Sequence, residues 1–115
     1  MRIKKTDHSL LISDIPALNA RTAPALVAQA RSALPDGADA IDVDLSQTDS
    51  VDSHGLGTLV GFYRSLNQRG HHVAFRLLNP APPAQQLIEL TRLHHLFEVV
   101  HDTPAPNFPA PTPLS

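Results

Sequence analysis

AIDVDLSQTDSVDSHGLGTLVGFYRSLNQRGHHVAFRLL, residues 40 to 78, changes its apolar period twice. From Ile41 to Leu45 the apolar side chains Ile41, Val43 and Leu45 alternate with Asp42 and Asp44, a period of two that puts three apolar groups on one face of a strand. From Leu56 the spacing becomes helical. Leu56, Leu59, Val60, Tyr63 and Leu66 lie on one stripe, and Gly70 stands where a left-handed C-terminal cap is wanted. Val73, Phe75 and Leu77 then alternate again. A strand, a helix and a strand in one run form a crossover unit, the connection that joins parallel neighbours in a sheet.

The flanking sequence extends this pattern in both directions. Arg2 to Lys5 and Ser9 to Ser13 predict two short strands around the Thr6-Asp7-His8 turn, an opening hairpin. Thr22 is placed to cap a helix running to Leu34, with Leu26, Val27, Ala30 and Leu34 near helical spacing and Pro24 in the tolerant first turn; Pro35-Asp36-Gly37 ends it. After Val73 to Leu77, Asn79-Pro80 breaks the strand. Pro82 or Pro83 opens a helix carrying Leu87, Ile88 and Leu90, and a last short strand falls within Leu96 to Val100. The fold class is therefore α/β, a mixed, mainly parallel sheet with an antiparallel N-terminal hairpin and helices packed on it. From residue 102 the chain reads DTPAPNFPAPTPLS, whose five prolines deny helix and paired strand alike, so a disordered, extended tail is expected over 102–115 after a single domain spanning 1–101.

Composition narrows the function classes. A chain of 115 residues with 42% hydrophobic and 17% charged residues suits one soluble domain. No stretch approaches the roughly 20 apolar residues of a membrane span, and the apolar run near the N-terminus stops at Ile12 without a cleavage site, so a cytoplasmic protein with no membrane insertion is expected. Without cysteine there is neither a disulfide framework nor a thiolate metal site. A formal charge of −2 with scattered Lys and Arg offers no stripe for direct nucleic-acid binding.

The chemistry-bearing residues gather between the first strand and the helix of the quoted run. Asp52 and Ser53 fall where a strand's C-terminal end gives way to a helix, the edge at which α/β sheets tend to place ligands. Ser53 at the N-cap or in the first turn could simply cap; it could also carry a phosphate, which would meet unpaired N–H groups and a favourable dipole while staying exposed. A hydrolase is disfavoured, since the G-x-S-x-G elbow fails at Val51 and His54 points around the axis rather than back at the hydroxyl. The histidine pairs His71-His72 and His94-His95 lack the spacing of metal ligands on one helix face. Gly55, Gly57 and Gly61 lack the lysine and spacing of a phosphate loop, and close helix packing is the better account of them. No cofactor and no metal is expected.

At these residues the sequence resembles a STAS domain, in the style of bacterial anti-sigma factor antagonists. The resemblance covers Leu10 to about Val100 and rests on the strand with Asp44, the Asp52-Ser53-x-Gly55-Leu56-Gly57 signature, Gly70 before the next strand, and Leu90-Thr91-x-Leu93 to Leu96-Phe97. It implies a non-enzymatic switch protein in transcription regulation. The serine of the signature, here Ser53, would be phosphorylated by an anti-sigma factor with serine kinase activity and dephosphorylated by a metal-dependent serine phosphatase. The unmodified form would bind the anti-sigma factor and free sigma. Carried over residue by residue, the partner-binding set is Asn19, Asp52, Ser53, His54, Leu56, Gly57 and Thr58. The chain departs from the family at Pro16-Ala17-Leu18-Asn19, which stands in place of G-x-L-D, and at His54, where a small residue is common. A proline-rich tail replaces the usual terminal helix. The alternative is a STAS accessory subunit of an ABC-type lipid or solute transporter, which would bind its ATPase without a phosphate cycle.

Overall fold

The computed structural model describes residues 1–68 and 72–101. Strands β1 (Arg2–Lys5) and β2 (Ser9–Ser13) pair antiparallel, with Thr6 N–H bonding Ser9 O across the turn at 2.9 Å. Strands β4 (Ala40–Asp44), β6 (Ala74–Leu78) and β7 (Glu98–Val100) follow in parallel, giving the order β1-β2-β4-β6-β7. Helices α1 (Ala23–Ala33), α2 (Ser53–Asn67) and α3 (Pro82–Leu90) make the three crossovers. Because the parallel strands advance across the sheet in one direction, right-handed crossovers bring all three helices to one face. Their N-termini then share the edge formed by the strands' C-terminal ends.

The core is one apolar layer between that face and the helices. Leu10, Ile12, Ile41, Val43, Phe75 and Leu77 come from alternate strand positions, and they meet Leu26, Ala30, Leu56, Leu59, Phe62 and Ile88 of the helices. Phe62, Tyr63, Phe75 and Phe97 interlock, with ring centroids 5.3 to 5.5 Å apart, mostly edge to face. Such geometry aligns ring edges with ring faces and adds to the area they bury. The opposite sheet face is polar at its centre. Asp42 and Arg76 are register partners on β4 and β6 and form a two-point ion pair at 2.6 and 2.9 Å. Asp42 pushes the Arg76 guanidinium pKa further up, first through the hydrogen bond and then through its charge.

The strand and helix expectations hold for the hairpin, for β4, β6 and β7, and for all three helices, while four details differ. Two short strands were not anticipated: β3 (Ala17–Leu18) and β5 (Ser50–Val51), a separate parallel pair. Two residues are too few to show a period. Leu90 is 73% exposed instead of packing with Leu87 and Ile88, because it lies two residues, about 200°, around the helix from Ile88. Thr22 precedes α1 but makes no side-chain cap. Phe62, absent from the expected stripe, is buried as fully as its neighbours. The expected cap at Gly70 and the proline-rich segment 102–115 lie outside the described residues.

Thr48, in the turn after β4, is 5% exposed, and its Oγ1 has no hydrogen-bond partner among the described residues. An unsatisfied buried hydroxyl destabilises by about 1–3 kcal/mol. Thr48→Val keeps the shape and removes the hydroxyl, so the variant should gain about 1 kcal/mol, which moves the melting midpoint of a domain this size up by roughly 4–8 °C. Thermal unfolding followed by circular dichroism checks this. A lower midpoint would mean that a buried water bonds Thr48.

Candidate functional site

The segments 16–19 and 49–52 run side by side. Asp49 N–H bonds Pro16 O at 2.9 Å, Ala17 and Leu18 pair with Ser50 and Val51, and Asp52 N–H bonds Leu18 O at 3.1 Å. Each segment ends in a residue whose short polar side chain holds the turn that follows. Asn19 Oδ1 accepts from the N–H groups of Arg21 at 2.8 Å and Thr22 at 3.1 Å, and Asn19 O accepts from Ala23 N–H at 2.9 Å. Asp52 Oδ1 accepts from Gly55 N–H at 2.8 Å, and Asp52 O accepts from Leu56 N–H at 3.1 Å. Asp52 thereby satisfies a first-turn donor of α2 that has no partner within the helix, whereas the Asn19 side chain shapes the turn that leads into α1. The β3–β5 zipper thus starts α1 and α2 next to each other on one edge.

No side chain caps α1: Asn19 Oδ1 holds the turn ahead of the helix, and Thr22, at the N-cap position, makes no side-chain cap. The Thr22 hydroxyl is drawn back to Ala17 O at 2.8 Å while accepting from Asn19 N–H at 3.0 Å. Asp52, rather than Ser53, caps α2. Ser53 is therefore the first helical residue, exposed, with its hydroxyl free of the capping role.

Gly55 explains how closely the two segments meet. A Cβ there would lie 2.3 Å from Leu18 O and 2.8 Å from Asn19 N, inside any tolerable contact. Only a residue without a Cβ lets the first turn of α2 rest on this backbone. Gly57 and Gly61 differ: a Cβ at either would meet nothing within 4 Å. Both lie on the outward side of α2 with His54, Arg64 and Gln68, all exposed. The packing explanation therefore applies to Gly55 alone.

Most of the anticipated partner-binding set comes together here. Asp52, Ser53, His54 and Gly57 are exposed along the first turns of α2, Thr58 is half-buried with its hydroxyl donating to His54 O at 3.0 Å, and half-buried Asn19 abuts Gly55 through its backbone. Leu56 does not belong on this surface. It is 1% exposed and packs in the core, because it lies two residues, about 200°, around the helix from the exposed His54. One residue had escaped notice: Arg21, exposed on the turn between Asn19 and the start of α1. Nothing local marks it, since the zipper is what brings its turn against α2.

A family model described as "Mlab, STAS domain" matches residues 1–100. Among solved structures, the anti-sigma factor antagonist SpoIIAA in its unphosphorylated form superposes with a TM-score of 0.72 at 19% identity, over 89% of this chain and 87% of that one. An anti-sigma factor antagonist from Mycobacterium paratuberculosis gives 0.67 at 24% identity, over 89% and 84%. The Thermotoga maritima protein TM1081 gives 0.68 at 23% identity, over 89% and 86%. At these identities the likeness is one of fold. A search among curated proteins finds no significant match.

The three α2 glycines should separate on substitution. Gly55→Ala is expected to destabilise by about 1–3 kcal/mol through overpacking on Leu18. Gly57→Ala and Gly61→Ala should each stabilise by up to about 1 kcal/mol, because alanine favours the helix and meets no obstacle. Urea unfolding midpoints of the three variants decide it, and loss of stability at Gly61 would overturn the open-space reading of that face.

Proposed function

The chain belongs to the STAS domain family, and we propose that it is a non-enzymatic switch protein, an anti-sigma factor antagonist whose α2 face binds an anti-sigma factor when Ser53 is unmodified. One observation carries this reading: Gly57 and Gly61 sit exposed within a helix, at an intrinsic cost of about 1 kcal/mol each, with no packing reason among the described residues. A partner that approaches α2 closely supplies the reason. Ser53 stands at the head of the same face, and the solved antagonists of like fold, SpoIIAA among them, agree with the reading.

The local chemistry supports phosphorylation at Ser53 as the off signal. The first N–H groups of α2 have no intrahelical partner and stabilise an anion, so the helix keeps its place when a phosphate arrives. Asp49 and Asp52 are exposed nearby, and a group carrying about −1.5 to −2 would make this edge strongly negative. The phosphate then changes what can dock without changing the fold. An anti-sigma factor with serine kinase activity would add it, and a serine phosphatase would remove it. Asn19, Asp52, His54, Gly57 and Thr58 form the surrounding contact surface, with Gly61 extending it; Leu56 holds the helix from beneath.

A second reading is the accessory subunit of an ABC-type lipid or solute transporter, since the match over residues 1–100 is to a STAS domain as such and does not require a phosphate cycle. There the same α2 face docks on the ATPase and no phosphate cycle operates.

Ser53→Ala and Ser53→Asp distinguish the two. With an anti-sigma factor partner, Ser53→Ala should bind as wild type does, and Ser53→Asp should lose about 2–5 kcal/mol, the cost of a buried unpaired charge at an interface. Calorimetry measures both. Incubation with the kinase and ATP should add one phosphate at Ser53 by mass spectrometry. Phosphate on Thr48 or Ser50 instead would overturn Ser53 as the phosphoacceptor, and equal binding by the two variants would move the assignment to the transporter reading.

A further inference from the structure

The C-terminal ends of α1 and α2 bound a cleft of about 360 Å³ at the opposite end of α2 from Ser53. That volume lies within the roughly 300–1,000 Å³ of small-molecule sites. Leu34, Pro35, Leu66 and Val73 give it apolar walls. The wall from Pro35 to Ala38 is a closed turn, with Ala38 N–H bonding Pro35 O at 3.1 Å and Gly37 in the left-handed region at φ +76°. Such a turn holds one shape without a ligand.

Arg31 is held across the helix seam into this cleft. Its Nη2 donates to Ser65 Oγ at 2.7 Å, Ser65 in turn donates to Phe62 O at 2.9 Å, and the guanidinium carbon lies 4.9 Å from the Phe62 ring centroid. These contacts fix a guanidinium while using one of its five N–H donors. Neither of the two ion pairs among the described residues involves Arg31. A pre-positioned cation with unspent donors beside apolar walls is the polar anchor that recognises a carboxylate.

The surroundings also limit the charge such a ligand can carry. Asp36 lines the cleft, and the two helix C-termini each contribute about half a negative charge. One anionic group can be accepted by Arg31, whereas a polyphosphate would meet repulsion from three sides. We propose that this cleft binds a small organic monocarboxylate, its carboxylate on Arg31 and its apolar body against Leu34, Leu66 and Val73.

The test is a titration of the ¹⁵N-labelled 115-residue chain with phenylacetate and hexanoate, with phenylacetamide and hexanamide as neutral counterparts and ATP as a polyanion. The carboxylates should give saturable shifts at the Arg31 side-chain N–H and at the amides of Gly37, Ser65 and Leu66. The amides should bind at least tenfold more weakly, and ATP should leave these signals unmoved. Arg31→Gln should abolish binding. Ser65→Ala keeps the charge but frees the guanidinium, so it should weaken binding severalfold with α1 intact. Equal binding of acids and amides, ATP binding at these residues, undiminished binding by Arg31→Gln, or shifts that do not saturate would each overturn the proposal.

Discussion

The contact on which the site depends is that between Gly55 and the backbone of Leu18. The first turn of α2 lies so near the Leu18 carbonyl that any side chain at residue 55 would overlap it. The approach is held by hydrogen bonds on both sides: Asp52 N–H reaches Leu18 O from one direction, and Asp49 N–H reaches Pro16 O one turn earlier. Two helix starts that would otherwise be separate become one surface. Asn19 and Asp52 each end a zipped segment and hold the turn that follows, so the turn chemistry and the tertiary contact are built from the same few residues.

The order of the strands sets where that surface faces. A parallel sheet that grows in one direction with right-handed crossovers carries its helices on a single face and their N-termini on a single edge. The core then lies between helices and sheet as one layer, while the other sheet face carries the paired charges of Asp42 and Arg76. The N-terminal edge of the helices favours anions and the C-terminal edge disfavours them. Ser53 stands at the first, and the Arg31 cleft opens at the second, where an arginine offsets the field of two helix ends.

Helix α2 contains two kinds of glycine, and the difference matters for function. Gly55 gives up helix propensity in return for a backbone contact that nothing larger could make. Gly57 and Gly61 give up the same propensity, yet a Cβ at either would meet nothing within 4 Å among the described residues. A helix that weakens itself on its solvent side has a flat strip along which another molecule can come within backbone distance. On the proposed function, stability and docking are set against each other along these two turns.

The sequence by itself determined the architecture and the candidate serine. The change from alternation in AIDVDL to the helical stripe from Leu56 and back to alternation at Val73 is a backbone period, which burial imposes locally and which can be read without knowing the fold. The same is true of Pro82 opening α3 and of the polar turn at Thr6 to His8. Tertiary structure alone decided the rest. The β3 and β5 strands are two residues each, too short for any period, and exist because the chain on either side brings them together. Thr22 does not cap α1 because its hydroxyl found Ala17 O, a partner fixed by the turn's geometry. Phe62 joined the core because rotation about the helix axis, set by the contact at Gly55, decides which side faces the sheet, whereas the burial of Leu56 follows the helical stripe of the sequence and only its place in the family's partner-binding set failed. The distinction between Gly55 and its neighbours was invisible for the same reason: all three are glycines in one helix, and only the nearness of Leu18 separates a glycine that packing requires from two that it does not.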